Sequence, residues 1–245
     1  MAAESIHEYL ARLVPADASR VLDLGCGRGA TMVEIVRRHP EAVLVGLDRK
    51  ERVLEQAASA LAAVGGQVEV VCADASVGLP FADAEFDCVV CHNVLERLPA
   101  PLNAINEISR VLRPGGEALL SHTDFGTLVF NSTLPDLTRQ AVRSYTDHVP
   151  RWAERSDGLI GRKLPGLVEA SLLDTIEVTC HVTLTLQFAL GEKGYERATH
   201  ELAPLLPAEE AERWLTDLRM LDEKGAFFAS ENAYVVRARH PSANR

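Results

Sequence analysis

Residues 20–29, Arg20-Val-Leu-Asp-Leu-Gly25-Cys-Gly27-Arg-Gly29, run a short apolar segment directly into three closely spaced glycines, and Thr31 to His39 follow with helical spacing. A strand that becomes a helix through glycines lets the backbone approach a bound group closely, where any side chain would collide with it. Gly25, Gly27 and Ala30 also satisfy the G-x-G-x-x-G/A pattern of nucleotide-binding turns.

The alternation extends in both directions. Ile6, Tyr9, Leu10 and Leu13 recur at helical spacing and predict a helix that ends before Pro15. Downstream, Ala42 to Leu47 reads as a second strand, and Arg49 to Val64 as a helix closed by Gly65-Gly66. Val68 to Cys72 and Phe86 to Cys91 are the third and fourth strands. Pro101 to Leu112 is a helix stopped by Pro114-Gly115-Gly116, and Glu117 to His122 is the fifth strand. Strands alternating with helices imply an α/β, Rossmann-like fold, with a mostly parallel sheet carrying helices on both faces.

The second half is less regular. Phe125 to about Arg162 is polar and broken, Leu164 to Leu173 reads as a helix, and Thr175 to Phe188 and Phe227 to Arg237 are rich in β-formers. About 38 mostly helical residues separate these last two runs, including Ala208 to Lys224, where a simple hairpin needs only a few. The expectation is a seven-stranded sheet in a single domain, 1–245. Residues 1–124 form its ligand-binding half, and insertions at 125–165 and 190–225 cap one end of the sheet.

A net charge of −10 argues against a nucleic-acid partner, because phosphate contacts require a basic face. No apolar stretch approaches the roughly 20 residues needed to cross a bilayer. An odd count of five cysteines, without a secretory signal, makes a reducing cytoplasm the expected compartment. Cys88 and Cys91 form a C-x-x-C, but on a strand residues three apart face opposite ways, so packing is expected there in place of redox chemistry or a metal. The N-x-T triplet at Asn131 matters only in a secreted chain. A homodimer stays open.

Asp48 closes the second strand, 19 residues after Gly29. A carboxylate there can accept hydrogen bonds from both hydroxyls of a ribose or cap the following helix. With Asp48 in place, four ordered elements resemble the class I S-adenosylmethionine (SAM)-dependent methyltransferases, in the branch often described as UbiE-like: LDLGCGRG at 22–29, GLD at 46–48, CADA at 72–75, and FDCVVCHNVLERLP at 86–99 followed by RVLRPGG at 110–116. They cover residues 20–122.

The resemblance implies SAM as cofactor, with 1–124 as the SAM-binding half. Gly25, Cys26, Gly27 and Gly29 would lie along its methionine part, and Asp23 would face its ammonium group. Asp48, with Arg49 beside it, would hold the ribose, and Asp74 with Ala75 the adenine. Cys91 and His92 would line the methionine end. An acid two residues before Gly25 would repel the pyrophosphate of NAD, whereas SAM carries a cation and no phosphate. LERLP differs from the more frequent LEHLP at Arg97, which is read as a surface or helix-face position unable to act as a base at neutral pH.

Methyl transfer from a sulfonium is an in-line displacement at about 3–3.5 Å, and a hydroxyl acceptor gains from a base such as histidine. His92 and His122 follow the fourth and fifth strands, where ligands of parallel sheets sit, and are the catalytic candidates, with Asp124 placed to orient His122. His148 and His181 are read as structural. Phe125, Phe130, Trp152 and Phe188 are candidate pocket walls with core packing as the alternative, and Asp124, Arg139 and Arg162 are candidate polar contacts. The expected activity is methylation of a small molecule, of secondary-metabolite or quinone-like type. The alternatives are a SAM-binding protein that uses the cofactor for another reaction such as cyclisation, an NAD-dependent oxidoreductase, and a nucleic-acid or protein methyltransferase. The last is disfavoured by the acidic balance and by the lack of an N/D-P-P-Y/F tetrad after the fourth strand.

Overall fold

The computed structural model describes residues 4–149 and 155–242. The predicted alternation is present: α1 (Ile6–Leu13), β1 (Arg20–Leu24), α2 (Ala30–Arg38), β2 (Val43–Asp48), α3 (Glu51–Ala62), β3 (Gln67–Cys72), β4 (Phe86–His92), α4 (Pro101–Val111) and β5 (Leu112–Phe130). Then follow α5 (Pro135–Thr146), α6 (Ile160–Glu169), β6 (Asp174–Thr185), the single turn α7 (Lys193–Glu196), which runs into a π-helical segment Arg197–Leu202, α8 (Ala208–Glu223) and β7 (Ala229–Arg239). Trp152 lies outside the described residues.

The seven strands form one sheet in the order β3-β2-β1-β4-β5-β7-β6. Strands β1 to β5 pair in parallel, and β7 runs antiparallel between β5 and β6. Each element has a local cause. Ser5 and Glu8 cap α1 reciprocally, side chain to backbone in both directions. In β1, Val21 to Leu24 are all buried, as a strand covered on both faces requires.

Alternate residues of the central strands feed two cores. Leu22, Leu24, Val89, Cys91 and Leu120 pack with α4 and α6 on one face. Val21, Cys88, Val90 and Leu119 pack with α1, α2 and α3 on the other. Cys88 and Cys91 therefore face opposite ways as free thiols.

Three expectations are corrected. The fifth strand does not end at His122 but continues to Phe130, pairing with β7 on both sides of a register shift between Asp124 and Val129. The helix expected at 164–173 instead begins at Ile160 and ends at Glu169, with Pro165 inside it. Gly161 allows this start: a Cβ there would stand 2.9 Å from the His122 carbonyl oxygen. The last two strands are β6, which stops at Thr185 and not at Phe188, and β7, which is shifted to 229–239.

The two insertions are not separate flaps. Phe125, Phe130 and Ala141 share a third core with Phe188, Leu202, Trp214, Leu218 and Phe227, at the end of the sheet where the parallel strands terminate. Trp214 is fully buried, and its indole N–H donates to Thr138 Oγ1 at 3.0 Å, linking α8 to α5. Asp217 accepts from Ser132 Oγ (2.7 Å) and the Thr133 amide (2.9 Å). Trp214→Ala is expected to cost about 3–5 kcal/mol of stability, and Trp214→Phe clearly less. Urea denaturation followed by circular dichroism measures both, and equal, negligible losses would mean that the cap does not rest on this ring.

Candidate functional site

At the carboxyl end of β1, β2 and β4 lies a cavity of about 520 Å³. Its geometry begins with the β1–α2 turn. The amides of Gly25 and Cys26 both donate to the Leu47 carbonyl, at 2.7 and 2.9 Å, tying the turn to β2. Two glycines have distinct necessities. Gly25 has φ +71°, and a Cβ there would stand 2.2 Å from Val94 Cγ2. Gly27 has φ +55° and faces open space in the cavity wall, so a side chain there would occupy ligand volume.

Carboxylates surround this turn. Asp48 accepts from the Gly27 amide (3.2 Å) and the Lys50 amide (2.9 Å), one on each oxygen, which leaves a further lone pair on both. Asp74 accepts from the Ser76 amide at 2.8 Å, and that bond holds its pKa below the usual carboxylate value. Asp23 is 2% exposed, its Oδ2 has no hydrogen-bond partner, and burial, with a smaller contribution from Asp48, pushes its pKa up to about 7. A buried carboxylate oxygen without a donor fits a cationic ligand group, which supplies both charge and N–H.

The structure brings Gly25, Gly27, Asp48, Arg49, Asp74 and Ala75 into one cavity wall. Asp23, Cys26, Gly29, Cys91 and His92 do not line it, and Asp23 lies buried behind the glycine turn. Cys26 and Cys91 are buried thiols whose pKa is raised by burial. Gly29 caps α2 and packs on α3, with its Cβ position 3.2 Å from Ala57 Cβ.

His92 is partly buried. Asn93 Nδ2 donates to its Nε2 (3.2 Å), so Nδ1 carries the proton and donates to Ser121 Oγ (3.0 Å). Burial, and then the charges of His7, His122, Lys193 and Arg197, lower its pKa well below the ordinary value, so the ring is neutral at pH 7. His7, from α1, meets His92 edge-on at 5.6 Å between centroids.

His122 has no exposed surface. Its Nδ1 lies 2.6 Å from the Thr123 carbonyl, and its Nε2 lies 2.6 Å from Glu96 Oε2, off the line of a hydrogen bond. Asp124 does not orient it. That carboxylate is fully buried against Arg162, which donates through Nε and Nη2 at 2.6 Å each.

Arg97 is no surface position: it pairs with Glu96 at 3.2 Å and lines the cavity. Arg139 is exposed beside Asp136. His181 donates to the Glu4 carbonyl at 2.9 Å, and Phe125, Phe130 and Phe188 are buried in the cap core.

Sequence reasoning missed the loop after β4. Asn93 takes a left-handed backbone (φ +55°), accepts from the Thr123 amide at 2.8 Å, and lines the cavity with Val94. An Asn closing an apolar strand was the available signal, since Asn tolerates this conformation better than most residues.

Comparison with known proteins agrees with this architecture. Residues 21–116 match a family described as a methyltransferase domain. The chain is 32% identical to an uncharacterized 37.1 kDa protein of transposon TN4556 from Streptomyces fradiae, over 94% of its own length and 70% of the other's. It is 34% identical to the ubiquinone/menaquinone biosynthesis C-methyltransferase UbiE of Syntrophotalea carbinolica, over 64% of each chain. The crystal structure of a candidate methyltransferase from Bacillus halodurans shares the fold, with a TM-score of 0.66 at 18% identity, over 97% of this chain and 99% of that one. With the ordered glycines, the acid at the end of β2 and the seven-stranded sheet, these matches show that the chain belongs to the class I SAM-dependent methyltransferases of the Rossmann-fold superfamily.

Proposed function

We propose that this methyltransferase modifies a small molecule, of secondary-metabolite or quinone-like type as in the UbiE-like branch, held between the cavity and the cap. The observation that carries this reading is the shared core of the two insertions. A roof with its own packed interior at the carboxyl end of the sheet suits an enclosed acceptor better than a polymer, and the charge of −10 disfavours nucleic acid. Supply of labelled SAM with a metabolite library tests it: methyl transfer to a small acceptor is expected, and labelling of protein or RNA alone would overturn it.

SAM supplies an activated methyl group. In this reading Asp23 holds its ammonium, Asp48 its ribose hydroxyls and Asp74 its adenine amino group, while Gly25 and Gly27 give the backbone room. Cys26, Gly29 and Cys91 support the turn and strand from behind. His92, neutral and near the end of β4, is the candidate to take a proton from a hydroxyl acceptor through Nε2, which must first release the Asn93 amide that occupies it. His122 holds the β4–α4 loop through Glu96 and so acts as a positioning residue.

Two predictions follow from these assignments. SAM binds the ionised form of Asp23, so affinity is full above pH 7 and falls up to tenfold for each unit below it. Without ligand the sign reverses. The folded chain holds this proton up to about pH 7 and the unfolded chain only to about 3.8, so ionised Asp23 destabilises the fold by roughly 4 kcal/mol once the pH exceeds both values. Asp23→Asn is therefore expected to bind SAM weakly with no pH dependence, and to melt higher than the wild type at pH 8. Calorimetric titration and thermal melting read both, and a pH-dependent Asp23→Asn variant would refute the assignment.

His92→Ala is expected to lower kcat by about 10²–10⁴ with SAM affinity retained, whereas His122→Ala lowers stability first. If both variants keep full turnover, neither ring is a base.

A further inference from the structure

Strand β6 is the outer strand at one edge of the sheet, and its side-chain pattern is inverted. Residues Thr179, His181, Thr183 and Thr185 face the molecule and are partly or fully buried. Tyr9 of α1 bonds Thr179 Oγ1 at 2.8 Å on that side. The alternate residues are apolar and point outward: Val178 is 48% exposed, Val182 47% and Leu184 51%, with Leu186 at 66% just beyond the strand. Cys180 is an exposed free thiol in the same row. Because side chains alternate with a period of two, a one-residue slip would have buried this row and exposed the threonines. The register observed in pairing with β7 holds the apolar row outside.

Unprotected edge strands are ordinarily blunted by charge, proline or a bulge that turns them away. From Val178 to Leu186 this strand and its exit carry no Lys, Arg, Asp, Glu, Pro or Gly. The one register shift lies at the far end, between Thr175 and Glu177. Nothing in that run opposes the pairing of a further strand.

We propose that β6 is a homodimer interface, in which β6 of a second copy pairs with it antiparallel about a two-fold axis to give a continuous 14-stranded sheet. The sequence selects the occupant. An antiparallel pair about a two-fold axis matches residue i with residue j and j with i. A two-fold centred on His181 sets Cys180 opposite Val182, Val178 opposite Leu184 and Ile176 opposite Leu186, so every outward residue meets an apolar partner. The other face then matches Thr179 with Thr183. A centre one residue earlier, at Cys180, sets Asp174 against Leu186.

The area is adequate. The paired segment 176–186 is about 36 Å long, and a strip of that length about 15 Å wide is on the order of 540 Å² per copy, which just clears the roughly 1,000 Å² in total that a specific interface needs. The cofactor cavity lies across β1, β2 and β4, with β5 and β7 between it and this edge. Both cavities of the dimer therefore stay open.

Sedimentation equilibrium of the wild-type chain, from 1 to 100 μM, is expected to show a dimer. Val182→Lys, which leaves SAM binding and the circular dichroism spectrum unchanged, is expected to shift the chain to monomer by at least a hundredfold in dissociation constant. A second variant reads the register. Val182→Cys under mild oxidation is expected to give a disulfide-linked dimer on a non-reducing gel, lost when Cys180→Ser is added. A wild-type monomer at 100 μM would overturn the proposal and assign the row to a different protein. A dimer unaffected by Val182→Lys would place the interface elsewhere, and a Val182→Cys chain that stays unlinked would overturn the register centred on His181.

Discussion

Two amides sharing one carbonyl hold this site together. By donating to Leu47, Gly25 and Cys26 fix where β1 stops and bring its turn against the end of β2. With that contact made, Asp48 reaches the Gly27 amide, Val94 fills the space a Gly25 side chain would need, and the cavity acquires walls from three strands. A side chain at Gly25 would strain the turn by its φ and by collision, and the loop after β4 would have to retreat with it.

The acids around the turn have unequal surroundings. Asp48 and Asp74 have backbone donors, so their charge is satisfied before a ligand arrives. Asp23 has an oxygen that the protein leaves unsatisfied, next to another carboxylate. The folded chain bears this cost beside the glycine turn, a pattern expected where function and stability compete. His122 shows the opposite arrangement. Its partner Glu96 is internal, and both belong to the scaffold of the loop that carries Arg97.

Much of this was legible in the sequence because the signals are local. Strand–helix alternation, the stops at Pro114 and Gly65, and the glycine turn depend on neighbours within a few residues, and each appears in the structure close to where it was expected. What escaped depends on distant partners. The extension of β5 to Phe130 requires β7, about a hundred residues later, to pair with it. The helix at Ile160 depends on Gly161 lying against His122. Asp124 lies two residues from a histidine in sequence, but its partner Arg162 is 38 residues away. Arg97 reads as surface because its partner, the neighbouring Glu96, is buried beside His122 of a different strand. Pattern predicts the elements, whereas the pairing of charges is set by packing between them.

The cap core has a consequence for how such a chain can diversify. Trp214 from the second insertion sits against Phe130 from the first, with ring centroids 5.4 Å apart, and bonds Thr138 across the same seam. Neither segment encloses an interior alone. Exchange of either one with a relative would therefore leave half a core facing water, and a graft meant to change the acceptor has to carry both, as a matched pair, on the extended fifth strand that joins them to the sheet.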